Sequence, residues 1–513
     1  MKRLRFGVAV RAAGLVLAAT ALLAARAPAT ADGPSDARIE AALRAHIETL
    51  SSDAFEGRLP GTDGETKTLR YLVRQWFDIG LESGTNDPGN PWFAPVALVE
   101  RVPVASRAVF MRGKRRIPVP EGAAFVATSG TRGLVNNAPV LFVGQGNGPV
   151  PPRAELAGRV AMMLDAQTGD GDKEKSGISL AERQGRLLDG GAAAVMTVLD
   201  GDHSIPDIRA KRAKAGYALA NGRSDGDLEA FVTPAFAATL LGAKPGGGVS
   251  SLEAQASKAG FVPRLMPFTV SLEATSRETR VQTHNLVGRL PGKRPQDGAV
   301  LLVAHWDHLG RCGDPSKDAI CNGAVDNASG LAVITEVARI LARGKPLDRD
   351  VYFVATTGEE MGMLGAQAFT ENPPLPLDRI VAAFNVDSDA IARSGGPFGI
   401  VGKGMTGLDP GIEKVVTATK RKLADGDEAN AYVKRQDIWA FMQHDVPSVM
   451  VSTAYGDDKR LKRFMEERYH KPDDEYSPKL ELGGAVDDVN MLVALVREFA
   501  DPRRWPLPDS GAH

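Results

Sequence analysis

His305, Asp307, Asp326, Glu359, Glu360, Asp387 and His470 are all residue types that bind divalent cations, and most of them follow an apolar run or lie close to glycines. Together they supply two imidazoles and five carboxylates, enough to hold two ions. A pair of ions that shares a ligand can activate a water for attack on an amide. Nitrogen and oxygen donors suit zinc, with cobalt or manganese as substitutes.

Each position has its own logic. His305 closes the apolar run 301–304, and Asp307 is placed to accept a hydrogen bond from the ring nitrogen that faces away from an ion, fixing the tautomer. Asp326 sits among the small residues of 322–330, just ahead of a helical segment, where it either caps that helix or uses its two oxygens to bridge two ions. Glu359 and Glu360 end the run 351–358. Adjacent carboxylates there conflict unless one binds metal and the other serves as general base. Asp387 ends the apolar run 382–386, where a carboxylate without a partner is costly, and Asp389 competes for the same role. His470 lies in the polar loop 468–475 and taken alone reads as an exposed histidine.

These residues need a scaffold that brings them together. Segments 285–290, 300–304, 351–355, 381–386 and 448–451 read as buried strands, with helical periodicity at 331–341 and 412–423. The alternation predicts an α/β fold, a mainly parallel sheet with helices on both faces. In such sheets ligands bind beyond the carboxyl ends of strands. His305, Glu359, Glu360 and Asp387 all fall there. Earlier in the chain, Ile39, Leu43, Ile47 and Leu50, and then Leu69 to Phe77, recur at helical spacing, with Gly80 as a stop and a turn-rich loop at 55–62 between them. From about 104 to 261, short β-like runs (109–111, 140–143, 160–164, 193–199) and one helix at 180–188 predict a smaller, inserted, mixed α/β domain with no ligand-type cluster. The expected organisation is therefore a leader at 1–31, the first part of the main domain at 32–103, an insert at 104–265 and the rest of the main domain at 266–513.

Composition narrows the partners. Lys+Arg 62 against Asp+Glu 63 leaves a net charge of -1, which argues against nucleic acid and anionic membranes. Lys2, Arg3 and Arg5, the apolar stretch 12–25 and Ala29-Thr30-Ala31 read as a secretory signal, so a periplasmic or secreted protein starting near Asp32, without stable membrane insertion, is expected. In that setting the two cysteines, Cys312 and Cys321, are expected to form a disulfide closing a short loop. Nothing in the sequence sets the oligomeric state.

The order of the motifs resembles the M28 family of zinc peptidases, which includes bacterial leucyl aminopeptidases and glutamate carboxypeptidase. The resemblance is carried by Ala-Val-Asp-Asn-Ala-Ser-Gly at 324–330, Gly-Glu-Glu at 358–360 and Tyr-His-x-Pro-x-Asp at 469–474. Glu56-Gly57-Arg58 looks like the opening segment of exported bacterial members, and 189–195 looks like part of a protease-associated (PA) domain. The resemblance implies two Zn²⁺ ions bridged by Asp326, with His305 and Asp387 completing one site and Glu360 and His470 the other. It further implies Glu359 as general base, Asp307 as the residue orienting His305, a cis peptide after Asp326, and peptide substrates cut from a free N-terminus. A dipeptidase or carboxypeptidase with Arg58 and Arg435 in an arginine cluster is the alternative. So is a non-catalytic, receptor-like binding protein, which would have lost ligands. A single-metal glutaminyl cyclase fits the full ligand set less well. Departures touch the pocket: Arg435-Gln436-Asp437-Ile438-Trp439 replaces Ser-Asp-His before an aromatic, and Ser388-Asp389-Ala390 replaces Met-Ile-Gly. Tyr432 and Tyr455 are the candidates for a tyrosine that steadies an oxyanion.

Overall fold

The structure, a computed structural model, describes residues 34–165, 179–200, 203–213, 216–220, 226–242 and 248–506. The expected leader lies outside them. None of the described helices is long and apolar enough to cross a membrane.

Strand β1 (Phe93–Arg112) pairs antiparallel with β2 (Arg264–Leu290), a strand of 27 residues. The C-terminal end of β2 pairs antiparallel with β4 (Asp350–Thr356). Then β4, β3 (Ala299–His305), β5 (Ile380–Asn385) and β6 (Ser448–Ser452) run parallel, side by side in that order. The α/β reading with a mainly parallel sheet therefore holds for the site-bearing half. Alternation within β3 explains its position. Val300, Leu302 and Ala304 join one apolar cluster, whereas Ala299, Leu301 and Val303 join another. A strand apolar on both faces is stable only when both are covered. Helices α1 (Asp36–Leu50), α2 (Gly330–Arg343) and α3 (Gly483–Phe499) pack into the first cluster, and Phe369 and Phe441 from two shorter helices into the second.

The other end of β2 pairs antiparallel with Arg132–Phe142, which opens a second parallel set continuing through Val160–Leu164, Ala194–Val198 and Leu228–Val232. This part has its own apolar core around Phe110, Val140, Met162, Met196 and Phe236. Strands β1 and β2 thus run across the expected boundaries near 104 and 265. The helix expected at 412–423 stops at Ala418. Lys420 takes a positive φ of 57° and Leu423 bridges to Phe398, so the chain leaves the helix to join an extended segment.

One packing point bears directly on the site. Asn285, on β2, accepts from the Thr357 N–H at 2.9 Å and donates to Gly365 O at 2.8 Å, anchoring both ends of the turn that carries Glu359 and Glu360. A Cβ at Gly365 would lie 2.2 Å from Thr357 O. Gly365→Ala is expected to lower stability by about 1–3 kcal/mol as an overpacking change, read as a shift in the denaturation midpoint with an unchanged m-value.

Candidate metal centre

The chain turns sharply after β3, and His305 is left 2 % exposed at its carboxyl end. Its Nε2 lies 3.3 Å from Asp326 Oδ1, 3.5 Å from Asp387 Oδ1 and 4.0 Å from Glu359 Oε2. On the other side of Asp326, His470 Nε2 is 3.4 Å from Oδ2 and 2.8 Å from Glu360 Oε2. The structure thus brings together His305, Asp326, Glu359, Glu360, Asp387 and His470 from five separate segments, with Asp326 in the middle. Ligand atoms of His305, Asp326 and Asp387 lie within 4.8 Å of one another.

Fixed backbone hydrogen bonds hold the central residue in place. The peptide between Asp326 and Asn327 is cis. Asp474, the last residue of the Tyr-His-x-Pro-x-Asp motif, accepts from the N–H of Asp326 at 3.0 Å and from that of Val325 at 3.1 Å. Asn327 donates to Val386 O at 2.9 Å and accepts from the N–H of Ser388 at 3.3 Å, so the Asp326 loop and the Asp387 loop are tied to each other. His470 and Ser388 adopt positive φ of 58° and 60°, a region that costs a non-glycine residue about 1–3 kcal/mol. Cys312 and Cys321 form a disulfide with Cα atoms 5.7 Å apart, and Cys312 Sγ reaches to 3.7 Å from His470 O.

Several sequence-based expectations change here. Asp307 does not orient His305 with its carboxylate, which stands 3.9 Å from Nδ1. That carboxylate instead accepts from the Glu359 N–H at 3.1 Å, and the Asp307 carbonyl stands 3.1 Å from His305 Nδ1. Asp389 lies in a buried group with Asp488 and Ser452, leaving Asp387 beside His305. Arg58 is not part of a substrate clamp. It is fully buried and donates to the carbonyls of Leu50, Trp306, Asn322 and Gly323 at 2.6–3.0 Å, pinning the loops beneath the site. Tyr455 is buried and accepts from Gln436 Nε2 at 2.8 Å, while Tyr432 packs edge-on against its ring.

His308 was missed. It is fully buried, with Nδ1 2.6 Å from Glu360 Oε1, and forms a second group of potential ligands with Asp326 and Glu360. Its signal was available, since it stands three residues after His305 in the same turn. Asp437, buried and accepting from Thr356 Oγ1, was also missed as part of the centre. A third group, Asp165, Asp200 and His203, lies in the second half of the sheet, where no such cluster was expected. Its members come from the ends of two neighbouring strands, so sequence spacing hides it.

The electrostatics are those of crowded, desolvated carboxylates. Burial, aided by Asp437, Glu360 and Asp387, pushes Glu359 well above the usual carboxylate range. Burial also raises Asp307 to about 7 and Asp437 to about 6. Burial opposes charge on His305, but Glu359, Asp326 and Asp387 outweigh it and raise its proton affinity. His470 is lifted to about 9 against its burial by Asp326 and Glu360. Asp326 is held well below the ordinary value despite burial, by His305 and His470. Yet His305 Nε2, His470 Nε2 and Asp326 Oδ2 are buried with no hydrogen-bond partner. Lone-pair atoms converging without hydrogen-bond geometry fit divalent cations better than they fit each other.

Residues 285–494 match the family model described as Peptidase family M28. The match covers the site-bearing half of the sheet and every candidate ligand from His305 to His470. A probable zinc metalloprotease of Pyrenophora tritici-repentis is 27 % identical over 243 residues, covering 44 % of this chain and 52 % of that protein. Aminopeptidase YwaD of Bacillus subtilis is 30 % identical over 121 residues, covering 23 % of this chain and 24 % of that protein. The chain therefore spans at most about half the length of these curated relatives. An aminopeptidase from Aneurinibacillus sp. strain AM-1 shares the fold across 92 % of this chain and 98 % of its own, with a TM-score of 0.55 at 16 % identity.

Because His308 Nδ1 stands 2.6 Å from Glu360 Oε1, His308→Ala is expected to weaken metal affinity by about 10–100-fold. Competition with a graded series of chelators checks this, and an affinity equal to that of the parent would remove His308 from the centre.

Proposed function

We propose that the chain is a zinc-dependent peptidase of the M28 type that removes N-terminal residues from peptides. The observation that carries this reading is Asp326 standing between two imidazole-carboxylate groups whose buried nitrogens have no hydrogen-bond partner. His305, Asp326 and Asp387 would hold one ion, and Asp326, Glu360 and His470 the other. Bound there, the ions would acidify a water and polarise the scissile carbonyl. His308 and Asp307 keep their neighbours oriented. Glu359, whose side chain is 11 % exposed, is left as the base. It takes a proton from the attacking water on one carboxylate oxygen and returns it to the leaving amine. Its raised proton affinity favours holding that proton between the two steps. With Arg58 committed to backbone carbonyls, the carboxypeptidase alternative loses one of its two expected arginines. Export through the leader, and a protease-associated role for 104–265, belong to the same proposal.

A panel of free and N-blocked aminoacyl-peptides tests it. Cleavage of free N-termini alone, lost on chelation and restored by Zn²⁺, is the expected result. Glu359→Gln should lower kcat by about 10²–10⁴-fold while retaining metal. Cleavage of blocked peptides would move the assignment to a carboxypeptidase or endopeptidase, and full activity in the variant would sink the base assignment. Chelation is also expected to lower the thermal midpoint, since ions bound only by the folded state stabilise it, and excess Zn²⁺ should restore it. A midpoint indifferent to chelation would argue against resident ions.

A further inference from the structure

The second half of the sheet has its own meeting of ionisable groups at strand ends. Val160–Leu164 and Ala194–Val198 run parallel, and the Asp165 N–H donates to Val198 O at 2.9 Å. Asp165 therefore leaves the first strand beside the end of the second, and Asp200 follows that end closely. His203 comes next, its N–H donating to Asp200 Oδ1 at 3.2 Å. These are carboxyl ends of parallel strands, the place where such sheets bind ligands. None of the three residues belongs to the centre around Asp326. Leu164 and Val198, which close the two strands, sit in the separate core of Phe110 and Met162.

Their ligand atoms converge without bonding one another. His203 Nδ1 is 2.8 Å from Asp165 Oδ2 and 3.5 Å from Asp200 Oδ1. Asp165 is only 3 % exposed, yet its Oδ2 and the His203 Nδ1 that it faces have no hydrogen-bond partner among the described residues. A ring nitrogen that stands between two carboxylate oxygens and bonds neither is a lone pair beside two anions, an arrangement that a cation relieves. Arg183 does not meet this need. Its buried guanidinium donates to the carbonyls of Gln145, Leu164 and Asp165 at 2.7–3.1 Å and reaches only the other Asp165 oxygen, Oδ1, at 3.3 Å. Burial and Asp200 together raise the proton affinity of Asp165, a cost that a bound cation removes. One imidazole and two carboxylates suit Zn²⁺, with Mn²⁺ as a substitute, and not Ca²⁺, which takes oxygen throughout. We propose that Asp165, Asp200 and His203 hold a structural Zn²⁺ that fastens the ends of these two strands.

Metal content at equilibrium tests it. The chain is stripped with chelator and dialysed against Zn²⁺, and bound metal per chain is counted by elemental analysis. His203→Ala and Asp200→Asn are each expected to hold one Zn²⁺ fewer than the parent. Their side chains are 36 % and 23 % exposed, so both changes fall at the open side of the site. Added Zn²⁺ is also expected to raise the thermal midpoint of the stripped parent more than that of either stripped variant. This difference is read against each protein's own metal-free midpoint, so a change in basal stability does not imitate it. Equal counts, equal midpoint shifts, or a site that fills with Ca²⁺ and not with Zn²⁺ overturns the proposal. A parent holding a single Zn²⁺ that is lost in His203→Ala and kept in His305→Ala would leave this site standing and sink the two-ion reading of the Asp326 centre. The reverse pattern would sink this site alone.

Discussion

The constraint on which this structure turns is the burial of many carboxylates at one point. Asp307, Asp326, Asp387, Asp437 and Asp474 are at most 8 % exposed, and the Glu359 and Glu360 side chains join them. Isolated charges do not survive such desolvation. Here they are met by three imidazoles, by backbone N–H groups and by the buried guanidinium of Arg58. Burial depresses Arg58 to about 10 even though the same carboxylates, Asp326 first, act to raise it. The remaining imbalance falls on buried atoms that have no hydrogen-bond partner.

Two short loops do most of the alignment. Asn327 connects the Asp326 loop to that of Asp387, and Asp474 connects it to that of His470. Each tie is a side chain caught by backbone of another segment, so the ligands are coupled through neighbours rather than through each other. The disulfide loop 312–321 packs beside the last of these segments, where a Cβ on Gly313 would meet Pro472. The positive φ of His470 belongs to the same arrangement: contacts on several sides hold a backbone conformation that a free loop would relax.

The sheet was legible because β3, β4, β5 and β6 are short runs apolar on both faces, the pattern of strands covered on both sides. The candidates His305, Glu359, Glu360 and Asp387 stood out in the sequence because they follow those strands. What escaped the sequence depends on partners distant along the chain. Arg58 looked available to substrate until its guanidinium was found facing carbonyls more than 200 residues away. Asp307 looked like a side-chain orienter, yet the Glu359 N–H claimed its carboxylate and left the carbonyl beside His305. His308 could have been read from its spacing to His305, but its contact with Glu360 requires β3 and β4 to be neighbours in register.

The strand Arg264–Leu290 has a consequence for how such a chain can be assembled. One of its ends belongs to the hydrogen-bond ladder of Asp350–Thr356, and the other to that of Arg132–Phe142. The accessory part is therefore joined by a shared strand, not by a hinge, and no cut in the chain separates the two without breaking a ladder. The accessory part also reaches the edge of the site, where the Glu182 carboxylate lies 3.8 Å from Lys434, next to Arg435. Lineages that carry such an insertion would be expected to lose or keep it whole, since half of it would leave an open sheet edge beside the reacting groups.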